Sequence, residues 1–195
     1  MIAERVFITV GTTEFDSLVS TLDAECEKFV KILKESGCKE LVLQLGRGTV
    51  LPQKLPAACE KLGIAFEYFR FKPTLSEDMQ KADMIISHCG AGSVLEAVTL
   101  GKVLVVVVNE TLQGNHQTEL SDAMVERDYC VSTVPEQLCE VLSDLADKGR
   151  KMKASSRYSA GTTAEQRLQM LGLSPYPQAD LEALPAAVDS MFNFE

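Results

Sequence analysis

Apolar positions along the chain switch between two periods, and the switching predicts the elements. Short β-rich apolar runs occur at Arg5 to Val10, Leu41 to Leu45, Ile64 to Phe69, Met84 to Ile86 and Val103 to Val108, with a brief one at Tyr129 to Ser132. Between them the apolar residues fall three or four apart. Leu18, Leu22, Cys26, Phe29, Val30 and Leu33 predict one helix over Ser17 to Ser36, stopped by Gly37. Pro56 sits near the start of a short helix ending at Gly63, and another short helix is expected around Leu75 to Lys81. Beyond Gln117 a helix runs through Leu120, Met124 and Val125, and Pro135 starts a helix to about Ala146. There are no internal repeats. Strands alternating with helices make an α/β fold, a Rossmann-like parallel sheet with helices on both faces, the economical solution. Ligands of such sheets bind beyond the carboxyl ends of the strands. Three loops are expected at that edge: Gly11 to Thr13, His88 to Ser93 and Asn109 to Gln117.

The stretch from Met84 to Gln117 organises the rest. It reads as strand, glycine loop, helix from Ser93, apolar strand and polar loop. Ser93 followed by Glu96 fits a capping box opening the helix. A loop of this kind aims several backbone N–H groups and the positive end of a helix dipole at one point, which suits a phosphate.

Composition narrows the function. The 195 residues are 46% apolar, enough for one good core, and the formal charge is −9. Acidity on this scale argues against nucleic acid, and against direct anchoring on anionic lipid, as the main partner. An anionic ligand must then be captured by local amides and dipoles. No signal-peptide pattern opens the chain, and Val103 to Val108 is far shorter than the roughly 20 residues of a membrane-spanning helix. Cys26, Cys38, Cys59, Cys89, Cys130 and Cys139 have neither disulfide-framework nor zinc-site spacing and read as reduced core thiols.

Gly90-x-Gly92 alone is a weak signal. Together with Ser93, Glu96, Gly101 and Asn115-His116-Gln117, the stretch resembles the donor-binding signature of nucleotide-sugar glycosyltransferases built from two Rossmann-like domains, the GT-B architecture. The resemblance is strongest to the family of donor-binding subunits of the two-part transferase that adds the second N-acetylglucosamine to dolichol-diphosphate-N-acetylglucosamine. The residues carrying it are Phe7 to Thr12, Phe71 to Pro73, Ile86 to Glu96 and Val106 to Gln117, within a match from about Arg5 to Val134. It implies that this chain is the donor half of a GT-B enzyme and binds UDP-N-acetylglucosamine. Gly90, Ala91, Gly92 and Ser93 would hold the diphosphate, and Glu96 the ribose hydroxyls. Asn115, His116 and Gln117 would meet the sugar or phosphate, with Asn109 at the strand end and Gly11 and Thr12 contributing to the same pocket.

His88 invites a reading as general base. The family logic instead places it on the donor side, with the acceptor base supplied from elsewhere. A Cys89–His116 nucleophile pair, or a metal site of Cys89 with both histidines, lacks recognisable spacing. No cofactor and no obligatory metal are expected, since no Asp-x-Asp stands in a loop where a metal–diphosphate clamp belongs.

A donor half needs an acceptor half. The resemblance implies a membrane-anchored, acceptor-binding partner subunit that handles the lipid-linked sugar and holds this chain on the cytosolic face of the endoplasmic reticulum. The reaction implied is inverting transfer of N-acetylglucosamine to the 4-hydroxyl of that acceptor. Residues 1–147 are expected to form the nucleotide-sugar domain and 148–195 an extension for partner docking. That extension holds the basic Arg150, Lys151, Lys153 and Arg157, a short helix over Thr163 to Leu171, and a Pro185-interrupted apolar series at Leu181, Leu184, Val188 and Met191. Two other readings stay open. One is a dinucleotide-dependent oxidoreductase, with Glu110 as ribose acid but Leu95 in place of the third glycine; the other is a non-catalytic nucleotide-sugar-binding module.

Overall fold

The computed structural model describes residues 2–109, 116–154 and 163–177, with side chains left undescribed at 116–118 and 152–154. Six parallel strands form one sheet: β1 (Arg5–Thr9), β2 (Glu40–Gln44), β3 (Ala65–Phe69), β4 (Met84–His88), β5 (Val103–Val107) and β6 (Val131–Thr133). Their order is β3-β2-β1-β4-β5-β6, so the sheet winds outward in both directions from the β1–β4 pair. That pair is the topological switch point, where the loops leaving adjacent strands diverge to opposite faces and open a crevice.

Alternation along the strands builds two cores. Val6, Ile8, Leu41, Leu43, Ile86 and Val105 face one side, while Phe7, Val42, Ile85, Leu104 and Val106 face the other. β4 and β5 are buried along their whole length, which is why they read as continuous apolar runs. The first face is covered by α1 (Asp16–Ala24), α2 (Cys26–Ser36), α3 (Leu55–Lys61), α7 (Leu138–Ala154) and α8 (Ala164–Leu171). The second carries α4 (Ser76–Lys81), α5 (Ala91–Thr99) and α6 (His116–Glu126). All six cysteines are free and buried, and burial pushes the Cys59, Cys130 and Cys139 thiols up to about 12.

Four sequence expectations are corrected. The helix over residues 17–36 is two helices, broken at Glu25 (φ −98°, ψ 18°). The bonds Glu25 N–H to Thr21 O and Phe29 N–H to Glu25 O persist across the break, so it is a deflection that leaves the apolar period undisturbed. α5 starts at Ala91 with Gly90 as its N-cap, which places Ser93 inside the first turn, and no side chain caps it. The reciprocal capping box occurs instead at α8, between Thr163 and Gln166. Pro135 opens a single 3-10 turn (Pro135–Gln137), and the helix expected to end near Ala146 continues to Ala154. α7 therefore runs across residues 147 and 148, where the sequence reading divides the chain, and Leu168, Leu171 and Leu173 beyond it belong to the first core.

Two carboxylates tie loops to this frame. Asp23 Oδ1 accepts from Lys54 N–H (2.6 Å) and Leu55 N–H (2.9 Å), satisfying amides at the start of α3 from a neighbouring helix. Asp16 accepts from Thr49 N–H and Val50 N–H (both 3.1 Å) and from the Thr49 hydroxyl (2.7 Å), pinning the loop after β2 to the start of α1. Burial works to raise the Asp16 carboxyl, but these bonds outweigh it and hold the group below the usual carboxylate range.

Candidate functional site

A cavity of about 450 Å³ lies at the carboxyl edge of the sheet, over the switch point. Its floor and one wall come from Gly11 and Thr12 after β1 and from His88 and residues 90–93 after β4, with Glu96 one turn further along α5. The opposite wall is the segment Phe71 to Leu75 leaving β3, with Gln44 from the end of β2 between them.

α5 supplies the donors. Val94 N–H is the first amide bonded inside this helix, to Gly90 O at 3.0 Å. The amides of Ala91, Gly92 and Ser93 are its first-turn donors, which an α-helix leaves without intrahelical acceptors, and all three residues line the cavity. Aligned peptide dipoles add roughly half a positive charge at this end. Glu96 lies three residues beyond Ser93, hence on the same face of the helix. Among the described residues its carboxylate takes part in no hydrogen bond or ion pair. An acid lining a cavity and not needed for capping is available to a ligand.

His88 lies beneath the turn. Its ring is packed against two glycines, so that a Cβ built at Gly90 would lie 2.3 Å from Nε2 and one at Gly11 2.6 Å from Cε1. Gly11 also has φ +62°, a backbone region L side chains rarely adopt. The imidazole is only 6% exposed and Nδ1 is buried without a hydrogen-bond partner. Burial pushes its pKa below the usual imidazole value, against a smaller opposing effect of the Thr9 backbone. His88 is therefore neutral at pH 7, with ring and cavity sharing one boundary. Cys89 beside it is buried, which drives its thiol up to about 11 and keeps it protonated. Among the described residues no group of three or more metal-ligating side chains converges.

The structure thus brings together Gly11, Thr12, His88, Gly90, Ala91, Gly92, Ser93 and Glu96. Asn109 does not line the cavity: it is buried at the end of β5, its Nδ2 3.5 Å from Glu14 O in the loop after β1. Asn115, and with it Glu110, lies outside the described residues. His116 and Gln117 form the first turn of α6, a second helix N-terminus at the same sheet edge. Sequence reasoning missed Gln44 and did not assign the Phe71 to Leu75 wall to the site. The available signals were a polar residue closing the apolar strand β2, and Phe71-Lys72-Pro73 following β3. Lys72 is committed within that wall, its Nζ donating to Asp78 Oδ2 at 2.8 Å and lying 4.0 Å from the Phe69 ring centroid.

Comparison with known proteins bears on the family and the fold. Residues 5–170 match the glycosyltransferase family 28 C-terminal domain. Curated relatives include the UDP-N-acetylglucosamine transferase subunit ALG13 of Mus musculus, 46% identical over 72% of this chain but only 11% of that protein. The subunit of the same name from Kluyveromyces lactis is 30% identical over 79% of this chain and 91% of its own length. The chain thus spans about a tenth of the mammalian relative and nearly all of the yeast one. Among solved structures, Acinetobacter baumannii MurG superposes with a TM-score of 0.57 at 18% identity, covering 98% of this chain and 50% of MurG. A solution structure of ALG13 gives 0.50 at 23% identity, over 84% and 91% of the two chains. Both show the fold, a Rossmann-like α/β domain, which accounts for half of the MurG chain and nearly all of the ALG13 one. With the model match spanning most of its length, this chain belongs to the family of the glycosyltransferase family 28 C-terminal domain.

Proposed function

We propose that the chain is the donor-binding subunit of a UDP-N-acetylglucosamine transferase. The observation that carries the reading is the junction of three first-turn amides, a buried imidazole and a carboxylate that has no partner among the described residues, around one cavity at the switch point. The amides and dipole of α5 suit the diphosphate. Glu96 suits the ribose diol, since a carboxylate accepts from two hydroxyls. The aromatic and apolar wall at Phe71 to Leu75 suits the face of a base, and the first turn of α6 the transferred sugar.

Catalysis in this reading is leaving-group stabilisation. As the bond from the sugar C1 to the UDP oxygen breaks, negative charge grows on the diphosphate, where the α5 amides are already oriented. The acceptor 4-hydroxyl forms the new bond to C1 from the opposite face, inverting that centre, and gives its proton to a base contributed by the acceptor side. His88 lies under the phosphate-facing turn, which fits donor binding better than proton abstraction. The scheme requires no metal; turnover of the assembled enzyme persisting in excess EDTA is the expected result.

The acceptor is a lipid-linked N-acetylglucosamine, handled by a membrane-anchored partner that holds this chain on the cytosolic face of the endoplasmic reticulum. Relatives named as a transferase subunit support the need for a partner. Among the described residues no helix is long and apolar enough to cross a membrane. Docking belongs to the carboxyl-terminal extension. Removing everything from residue 148 would cut α7 and strip Leu168 and Leu171 from the core, so the informative truncation ends the chain after Pro177. Unchanged partner co-purification with that truncation removes residues 178–195 from the docking role.

The experiment for the donor site is calorimetric titration of the chain with UDP-N-acetylglucosamine, UDP-glucose and NADH, wild type beside Glu96→Ala. Binding of UDP species, weakened in the variant, with no heat from NADH, is the expected pattern. A response to NADH alone overturns the reading in favour of a dinucleotide enzyme.

A further inference from the structure

Gln44 is 1% exposed at the end of β2, and its side-chain amide uses its full hydrogen-bonding capacity. Oε1 accepts from the Thr9 hydroxyl (2.7 Å) and from Val10 N–H (3.1 Å). Nε2 donates to Gly11 O (2.7 Å) and to Arg70 O (2.8 Å). One buried side chain thereby joins the exits of β1, β2 and β3, three of the strands whose ends frame the cavity.

The bond to Gly11 O has a directional consequence. No cis peptide occurs among the described residues, so in the planar Gly11–Thr12 unit the N–H of Thr12 is antiparallel to the C=O of Gly11. β1 has β2 on one side and β4 on the other. A carbonyl pulled toward Gln44 on β2 therefore turns Thr12 N–H away from β2, to the side where His88 and the first turn of α5 lie. Among the described residues that N–H has no acceptor, although Thr12 lines the cavity. The Gly11 N–H is held separately, donating to Thr9 Oγ1 at 3.1 Å.

We propose that Gln44 is a positioning residue of the donor site: by fixing the Gly11–Thr12 peptide it adds the Thr12 amide, from across the crevice, to the phosphate-facing donors of α5. This rests on the nucleotide-sugar reading given above. Gln44 does not touch the ligand in this arrangement; it acts through the orientation of one peptide plane. Position 44 calls for an uncharged group carrying two donors and an acceptor at this reach, which among the natural side chains is glutamine.

The test compares two variants that each remove part of the network. Gln44→Met keeps length and neutrality but frees the Gly11 carbonyl, whereas Thr9→Val removes the hydroxyl, and with it the acceptor of Gly11 N–H, while leaving both Nε2 bonds, including the one to the Gly11 carbonyl, in place. With UDP as the probe, Gln44→Met is expected to lose tenfold or more in affinity and Thr9→Val less than twofold, the melting temperatures of both being recorded. In two-dimensional NMR the Thr12 amide proton moves downfield on UDP addition in the wild type and in Thr9→Val, and stays in place in Gln44→Met. Wild-type-like UDP affinity in Gln44→Met overturns the proposal. So do losses in the two variants that simply follow their losses of stability. A wild-type chain that binds UDP without any movement of the Thr12 amide overturns it too, leaving the donor site standing. A wild-type chain that does not bind UDP overturns the nucleotide-sugar reading itself, and this inference with it.

Discussion

Gly90 and His88 are close enough that a Cβ at position 90 would fall 2.3 Å from the imidazole Nε2. The ring it would strike is buried and held from the other side by Gly11, so it cannot simply swing away. Gly90→Ala is therefore expected to destabilise the protein by about 1–3 kcal/mol through overpacking and to displace the turn that presents the α5 amides. Gly92 is the contrast: two residues on, a Cβ there meets nothing within 4 Å. Gly92→Ala should leave the fold intact and raise stability by up to about 1 kcal/mol, since alanine is the better helix former. A loss of UDP affinity in Gly92→Ala without loss of stability would mean that the ligand backbone approaches this turn. Thermal melts and UDP titrations of both variants read the two effects separately.

Glu96 gives a prediction that separates a ligand contact from a structural one. Its carboxylate caps nothing, so Glu96→Gln and Glu96→Ala should melt within about 0.5 kcal/mol of the wild type, as substitutions of half-exposed residues without special partners do. If it holds the ribose diol, losing that charged acceptor should cost about 1.5–3 kcal/mol of UDP affinity. The wild type should also discriminate UDP from its 2′,3′-dideoxy analogue, and Glu96→Ala should bind the two nearly equally. Equal discrimination by wild type and variant removes Glu96 from the ribose.

The sheet and the placement of the glycine turn were legible because they are written in local pattern. β4 and β5 are unbroken apolar runs, and the loop after β4 announces itself through two glycines in three residues. What was not legible depends on where neighbours end up. Ser93-x-x-Glu96 satisfies the capping-box pattern, yet Gly90 takes the cap and moves Ser93 into the helix; only the length of the preceding turn decides this. Glu25 deflects the first long helix without interrupting its period. Gln44 closes a strand 33 residues from Gly11, and nothing local says that its amide will meet that carbonyl. Phe71 to Leu75 became a wall of the site only once the strand order placed the β3 exit near the crevice.

His88 predicts a pH dependence whose direction follows from burial. Its pKa in the folded chain lies below the usual value of 6.5, so the unfolded chain takes up a proton where the folded chain resists it. The stability associated with neutral His88 is fully present above about pH 6.5 and is lost as the pH falls from there through the folded value. The only other histidine is His116. Urea denaturation at pH 7.5, 6.5 and 5.5 should show a decline across this range in the wild type and in His116→Gln. In His88→Gln the decline should be reduced, whatever the absolute stability of that variant. A wild-type profile flat from pH 7.5 to 5.5 contradicts the buried neutral imidazole.

Asp83 makes the last prediction, because it ties α8 to the start of β1. Its Oδ2 accepts from Glu4 N–H (2.8 Å) and Arg5 N–H (3.1 Å) at the start of β1, and its Oδ1 from Arg167 Nη1 of α8 at 2.7 Å. Burial alone would raise the carboxyl, but the Arg167 bond, the two backbone amides and the guanidinium charge together hold it below the ordinary value of 3.8. A depressed acid stabilises the fold above its unfolded pKa, and that contribution disappears as pH falls through the lower, folded value. The pair is about a third exposed on each side, so solvent screens it, and Arg167→Gln should cost about 1 kcal/mol. Leu168 and Leu171 still bury their side chains in that variant, so α8 should stay docked but open more often. Hydrogen exchange at pH 6 should therefore accelerate roughly fivefold in α8 of Arg167→Gln, the factor equivalent to about 1 kcal/mol, with little change in β4 and β5. Below about pH 3.8 the gap between variant and wild type should narrow as Asp83 becomes protonated in both. A gap that stays unchanged as Asp83 is titrated to its protonated form would show that Arg167 holds α8 by packing its aliphatic stem, and that the ion pair contributes nothing.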